Sequence, residues 1–468
     1  MRKLDREALD IVDAVNRSWI QTSEAIHPVG NIFMVFAHDL VIHFTGILIH
    51  REAKTSYNNK NVFPYVNKTY ALSPFEFHST FDEPQICRPS LKSRIRSLSF
   101  SRTALGEALP LASGVDRVAA KWINLFASQK EPTRVFLPRI NDQIEALHEL
   151  ISTLASDYGI KGRGFIWKNW NHHVTTHASS RQSTIRENGL LIGTRNNLQN
   201  RKLAANFLQQ GKEVVAITHG EVANSVMDEP PFGYSERTMC STLIDYGNAD
   251  DNGCFNQPWI QPPNTLFRSG QLAKKTYKPS NRIRLPSRSR SRILYIPTTY
   301  HGNNLYGPFH AYEDSLYRKW QASLFNVVPE LVYKVHPKSW GAPLEGAIIE
   351  RESLDVCISK YDILVFDYFA TGAMLALVSE KPVIYFDIGL RNLRQDFLSV
   401  LKQRCEYLEI DIAELESLDL TRLVGQLWSK TTERSNEAIS SYVFARSEKI
   451  SWKDIFSAVN AGKSPRTT

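Results

Sequence analysis

Asp362-Ile363-Leu364-Val365-Phe366-Asp367-Tyr368-Phe369-Ala370-Thr371-Gly372 decides how this chain folds. Four successive apolar residues between two aspartates read as a short strand buried on both faces, the pattern of a parallel sheet. The run turns polar where a strand should end, and Thr371-Gly372 opens a helical stretch over 371–379. The same break occurs at Lys334-Val335-His336-Pro337, after the apolar residues that begin at Leu331. In open parallel sheets, ligands bind outside the carboxyl ends of the strands. A lysine and a histidine there meet a phosphate as charge and hydrogen-bond donor, and a Thr-Gly helix start turns its first N–H groups toward the same anion. Lys334, His336, Thr371 and Gly372 therefore form a candidate phosphate-handling set, which Asp367 joins from the same strand end. Taken singly, Lys334 also reads as a strand-edge charge and His336 as a satisfied turn residue.

Around this core the pattern repeats. Strands are expected at 293–296, 331–335, 363–366 and 383–386, and helices at roughly 311–325, 352–359, 371–379 and 394–403. Strands alternating with helices of crossover length predict a doubly wound parallel sheet over 293–432. Its first strand runs into Ile296-Pro297-Thr298-Thr299, whose hydroxyls suit phosphate or sugar oxygens, or form an ordinary turn. Residues 131–267 predict a second α/β unit. It has a short strand at Val135-Phe136-Leu137, helical spacing over 141–154, a strand at 189–193, an apolar helical stripe closed by Gly211, and a strand at 214–217. Thr218-His219-Gly220-Glu221 follows that last strand, and either His219 or Glu221 has the chemistry of a general base toward a hydroxyl. The structural alternative has His219 bonding its own turn and Glu221 capping the next segment. Tyr234, Glu236, Arg237, Asp245 and Tyr246 read as a polar-aromatic surface stretch.

Residues 1–130 read as a helical region packed on, or part of, the first α/β domain, with helix-like stretches at 5–15 and 115–126. Residues 268–292 hold nine Lys and Arg among Ser and Pro, and read as a basic linker or an exposed anion contact. A helix near 433–447 and a polar tail close the chain.

The 468 residues are 42% hydrophobic and 22% charged with a net charge of +8, a globular composition suited to acidic partners. Five scattered cysteines without a C-x-x-C pair read as free thiols of a reducing compartment. The N-terminus reads as a helix rather than a signal peptide, and the apolar run 32–49 carries His38, Asp39 and His43, so it reads as core. His172, His173 and His177 lack an acidic partner at ligand spacing, so no metal site is expected. P-loop, G-x-G-x-x-G and G-x-S-x-G motifs are absent from the sequence, which argues against nucleotide-triphosphatases, ordinary dinucleotide dehydrogenases and α/β-hydrolases.

Thr218-His219-Gly220-Glu221, Ile293 to Thr298, Tyr333 to Lys338, Phe366 to Thr371, and Glu380 to Phe386 occur in an order that resembles GT-B glycosyltransferase-like enzymes of bacterial surface-polysaccharide synthesis. These include capsule Kdo transferases, bacterial polysialyltransferases and CDP-glycerol glycerophosphotransferases. The resemblance covers about 210–390. It implies two Rossmann-like domains facing each other across a cleft, with the nucleotide donor, CMP- or CDP-type favoured, held by the second domain, and neither metal nor cofactor required. On that pattern Lys334, His336 and Thr371 contact donor phosphate, with Gly372, Asp367, Thr298 and Thr299 completing the donor site. His219 and Glu221 face the acceptor hydroxyl. Several relatives carry Ser-Thr or Ser-Ser where this chain has Ala370-Thr371. The expected partners are a nucleotide-sugar donor, a glycan or glycolipid acceptor and an anionic membrane surface, not nucleic acid. The expected place is cytoplasmic, peripheral at the inner face of the membrane. Rival readings are a glycerol- or polyol-phosphate transferase, a nucleotide-sugar 2-epimerase and a non-catalytic glycan- or partner-binding subunit.

Overall fold

The computed structural model describes residues 35–36, 134–137, 140–157, 174–175, 177–182, 184–185, 189–193, 195, 198–218, 225, 239–247, 264–268, 271–298, 314–335, 344–391, 393–429 and 433–444. The chain is an α/β protein with parallel sheets.

The first α/β unit begins with β1 (Val135–Phe136), α1 (Ile140–Asp157) and β2 (Ala178–Ser179), β1 and β2 pairing in parallel. A four-stranded parallel sheet follows, with β3 (Gly189–Ile192), β4 (Glu213–Ile217), β5 (Thr242–Tyr246) and β6 (Asn264–Arg268) side by side in chain order. Between β3 and β4 runs α2 (Leu198–Gln209), whose Leu198, Leu203, Ala204 and Phe207 are buried. Gly211 ends α2 at φ +67°, and the Lys212 N–H bonds back to the Phe207 carbonyl, a left-handed stop that glycine adopts without Cβ strain. The polar face of α2 is used as well. The Asn206 amide brackets Phe136 N–H and the Arg134 carbonyl, and Gln209 donates to the Phe136 carbonyl, which satisfies the backbone of β1. Arg201 of α2, fully buried, donates to the Val35 carbonyl, so the N-terminal region touches this domain.

The second unit is a six-stranded, all-parallel sheet. Its strands are β7 (Ile293–Ile296), β8 (Leu331–Lys334), β9 (Ile348–Glu350), β10 (Ile363–Phe366), β11 (Val383–Asp387) and β12 (Glu406–Glu409). The spatial order is β9-β8-β7-β10-β11-β12, so the chain winds outward from β7, returns, and winds outward on the other side. Successive side chains alternate between two cores, as the two-residue strand period requires. Leu294, Leu364, Phe366 and Tyr385 pack with α6 (Thr371–Leu377) and α7 (Gln395–Arg404) on one face. Ile293, Tyr295, Val365 and Phe386 pack with α4 (Asp314–Val327) and α8 (Leu420–Ser429) on the other. Helix α3 (Gln271–Thr276), the short α5 (Leu354–Cys357) and α9 (Glu437–Ser440) complete the set.

Two expectations are corrected. Asp245 and Tyr246 are not a surface stretch: they end the interior strand β5 and are 0% and 1% exposed. Nor is 268–292 a free linker: Arg268 ends β6, and 271–292 is laid down on the second domain. Ala273 is buried in that domain's core, the Thr276 hydroxyl donates to the Ala273 carbonyl and lies 3.4 Å from the Leu375 carbonyl, and Ile283 bridges antiparallel to Arg434. Lys278, Arg284, Arg288 and Arg292 pair with Glu380, Glu433, Glu330 and Asp362.

The chain end returns to the first unit. Gly247, just past β5, donates its N–H to the Val443 carbonyl, and Arg394 donates its N–H to the Ser225 carbonyl. Gly247 sits at φ +68°, and a Cβ there would lie 2.4 Å from the Tyr442 carbonyl oxygen. Gly247→Ala is therefore expected to push the backbones apart and destabilise the protein by about 2 kcal/mol or more, read as a lowered urea midpoint. An unchanged midpoint would show that this crossing is not fixed.

Candidate functional site

In the second sheet the winding direction reverses between β7 and β10, whose carboxyl ends lie side by side: Phe366 pairs with Ile296. Such a reversal leaves a crevice, because the segments leaving the two strands cross over to opposite faces of the sheet. Thr298 follows β7, Asp367 to Gly372 follow β10, and Lys334 ends the adjacent β8.

Lys334 is 6% exposed. Among the described residues its ammonium uses one of its three donors, on the Val335 carbonyl at 2.9 Å. Burial pulls its pKa below the ordinary lysine value, with the charges of Cys357 and Glu350 opposing that shift. A largely buried cation with one bonded acceptor among the described residues gains from an anion placed against it. Thr371 is the first residue of α6 and is partly exposed. That helix has seven residues, too few for a strong macrodipole, so its hydroxyl is the main donor it adds. Gly372 has a packing role: a Cβ there would lie 2.9 Å from Leu354 Cδ2, so glycine lets α5 close on α6.

Asp367 does not face the crevice. It is 1% exposed, and its carboxylate accepts hydrogen bonds from Tyr295, from Trp320 Nε1 at 3.0 Å and from Tyr317 at 3.3 Å. Burial pushes its pKa up to about 6, against three donors that pull it down. The same desolvation, with the Asp367 charge next, raises Tyr295 and Tyr317 well above the ordinary phenol value, so both hydroxyls stay protonated. Thr298, 2% exposed, is tied into this group through its backbone, whose N–H donates to the Tyr317 oxygen at 3.1 Å.

The sequence reading missed Arg391. It lies beyond β11 and stacks on Tyr368, its guanidinium 4.8 Å from the ring centroid. It also donates to the Tyr368 hydroxyl and, at 3.1 Å, to the Phe369 carbonyl. Arg391 thus holds the turn that leaves β10. The strand-end rule that singled out Lys334 applies equally to Asp387-Ile388-Gly389-Leu390-Arg391.

His336, Thr299, His219 and Glu221 lie outside the described residues. Of the acceptor-side stretch, Thr218 is described: buried at the carboxyl end of β4, with N–H and hydroxyl both directed to the Ile244 carbonyl. The carboxyl edge of the sheet thus carries Lys334 at the end of β8, Thr298 after β7 and Thr371 at the start of α6, with Asp367 buried among Tyr295, Tyr317 and Trp320. No protein-family model matches the chain, and no curated protein matches it.

Proposed function

We propose that the chain is a GT-B-type glycosyltransferase, moving a sugar from a nucleotide-activated donor, CMP- or CDP-type, to a bacterial surface glycan or glycolipid. The observation that carries this reading is the largely buried Lys334 at the carboxyl edge of a doubly wound parallel sheet, one strand from its winding reversal. Lys334, with His336 and the Thr371 hydroxyl, neutralises the departing nucleotide phosphate, and a cleft between the two α/β units brings the acceptor. His219 or Glu221 takes the acceptor proton. Protein cations supply the charge stabilisation, so turnover is expected to survive EDTA. Donor consumption that depends on added acceptor supports the transferase. Donor isomerisation without acceptor would replace it by the epimerase, consumption of a CDP-polyol alone by the polyol-phosphate transferase, and inertness toward every nucleotide-sugar and CDP-polyol by a binding subunit.

Lys334→Ala is expected to weaken nucleotide binding about ten- to hundred-fold, the contribution of a charge-assisted bond to phosphate, with the urea midpoint little changed. An unchanged titration curve would remove Lys334 from the site.

The protein is proposed to work at an anionic membrane face. No described helix is long and apolar enough to cross a membrane. Because Arg284, Arg288 and Arg292 are ion-paired, the attraction falls to the exposed Lys274, Lys275, Arg282 and Arg290. Each such residue near an anionic surface contributes roughly 1 kcal/mol, screened by salt. Reversing these four to Glu is expected to abolish low-salt co-sedimentation with phosphatidylserine vesicles, and equal sedimentation of both proteins would place the protein elsewhere.

A further inference from the structure

We infer that Tyr317 is the positioning residue of the nucleotide site: held by Asp367, its hydroxyl fixes the Thr298 backbone at the mouth of the crevice. This inference rests on the donor-site reading of the β7 and β10 ends.

The argument starts from hydrogen-bond capacity. A tyrosine hydroxyl has one proton to give and lone pairs to receive with. Tyr317 gives its proton to Asp367 Oδ1 and receives the Thr298 N–H. The three groups come from three elements: α4 supplies Tyr317, the residues after β7 supply Thr298, and those after β10 supply Asp367. The chain Thr298 to Tyr317 to Asp367 therefore ties the two strand ends that flank the winding reversal. Oδ2 is held separately, by Tyr295 from β7 and Trp320 from α4. All of these residues are at most 2% exposed, so water has little access to replace a lost partner. Removing the Tyr317 oxygen orphans a buried backbone N–H beside the ligand. Removing the Tyr295 oxygen takes a donor from the same carboxylate without touching Thr298.

That difference sets the test. Wild type, Tyr317→Phe and Tyr295→Phe are titrated with CMP, CDP, UDP and GDP, and their urea midpoints measured. Both variants are expected to lose stability. For the tightest nucleotide, Tyr317→Phe is expected to weaken affinity about tenfold and Tyr295→Phe to stay within about twofold, as one orphaned donor beside the ligand requires. Equal affinity losses, or none in Tyr317→Phe, would overturn the inference while leaving the functional reading standing. Wild type that binds none of the four would remove that reading and this inference with it. Should Tyr317→Phe fail to fold, Asp367→Asn carries the comparison. Trp320 is an obligate donor and holds the amide oxygen on the Oδ2 side, so the Asn nitrogen faces Tyr317 and competes with the Thr298 N–H for its oxygen. A loss of about tenfold is expected for that variant, and unaltered affinity would overturn the inference.

Discussion

Arg404→Met is expected to cost about 3–5 kcal/mol of stability, the range for breaking a buried charged hydrogen-bond network. Arg404 is the last residue of α7 and is 1% exposed. Its guanidinium donates to the carbonyls of Leu377, Ser379 and Lys381 at 2.6, 2.9 and 2.8 Å, and approaches that of Ala376 at 3.3 Å. These are the last carbonyls of α6 and the turn into β11, groups a helix end leaves unsatisfied. Burial lowers its pKa to about 10, so it stays charged at any working pH, facing carbonyl dipoles. Methionine fills comparable volume and supplies no donor, so the Leu377 and Lys381 carbonyls lose their guanidinium partner, while those of Ala376 and Ser379 keep the Ser379 N–H and the Asn436 amide. Asn436 reaches the same place, its amide donating to the carbonyls of Val378, Ser379 and Lys278. It closes the final segment over this turn, so α9 and the 268–292 segment should loosen together in the variant. Chemical denaturation measures the loss, and a change below about 1 kcal/mol would mean that water satisfies those carbonyls.

Asp367→Asn is expected to change the pH dependence of stability. The folded pKa of Asp367, about 6, stands above the usual 3.8 because burial disfavours the charged form. A carboxyl with a raised folded pKa binds its proton more tightly in the native state. Its contribution is therefore full below the unfolded value and is lost as pH rises from about 4 to about 6. The shift of about two units corresponds to roughly 3 kcal/mol. Asparagine cannot ionise, so between pH 4 and pH 7 the variant should gain about that much relative to wild type. Taking the difference between the two proteins cancels the other titrating groups. A difference independent of pH would show Asp367 to be ionised throughout with an ordinary pKa.

The strands legible in the sequence were those buried on both faces. Ile293–Ile296, Leu331–Lys334, Ile363–Phe366 and Val383–Asp387 are nearly continuous apolar runs, and all four lie inside the second sheet. Its edge strands were not legible: Ile348–Glu350 is short, and Glu406–Glu409 carries a glutamate at each end, of which Glu409 is exposed and Glu406 is buried against Arg434. Asp245 and Tyr246 read as surface alongside Tyr234, Glu236 and Arg237, although they end Thr242–Tyr246, a strand buried throughout. The basic segment misled for a related reason. Its composition is that of a linker, and its anchors are residues such as Leu375 and Asn436, about a hundred or more positions away.

The site divides in the same way. The places of Lys334 and Thr371, at a strand end and a helix start, are legible because both are local signals. Asp367 carried that signal as well, yet its partners Tyr295 and Trp320 lie 72 and 47 residues earlier, in an apolar strand and on a helix's apolar face. A sequence pattern does not separate a tyrosine that packs from one that also donates. The carboxylate with its three buried donors is a feature of the folded chain.

The most direct test of the strand-end site is a thermal-shift panel of CMP, CDP, UDP and GDP on wild type and Lys334→Ala. A ligand that binds only the native state raises stability by mass action, about 2.7 kcal/mol at a hundred times its dissociation constant. The expected result is a concentration-dependent rise in the wild-type midpoint with at least one nucleotide, and a much smaller rise in Lys334→Ala. No rise with any of the four at millimolar concentration, or the same rise in both proteins, would contradict a nucleotide site at the carboxyl ends of β7, β8 and β10.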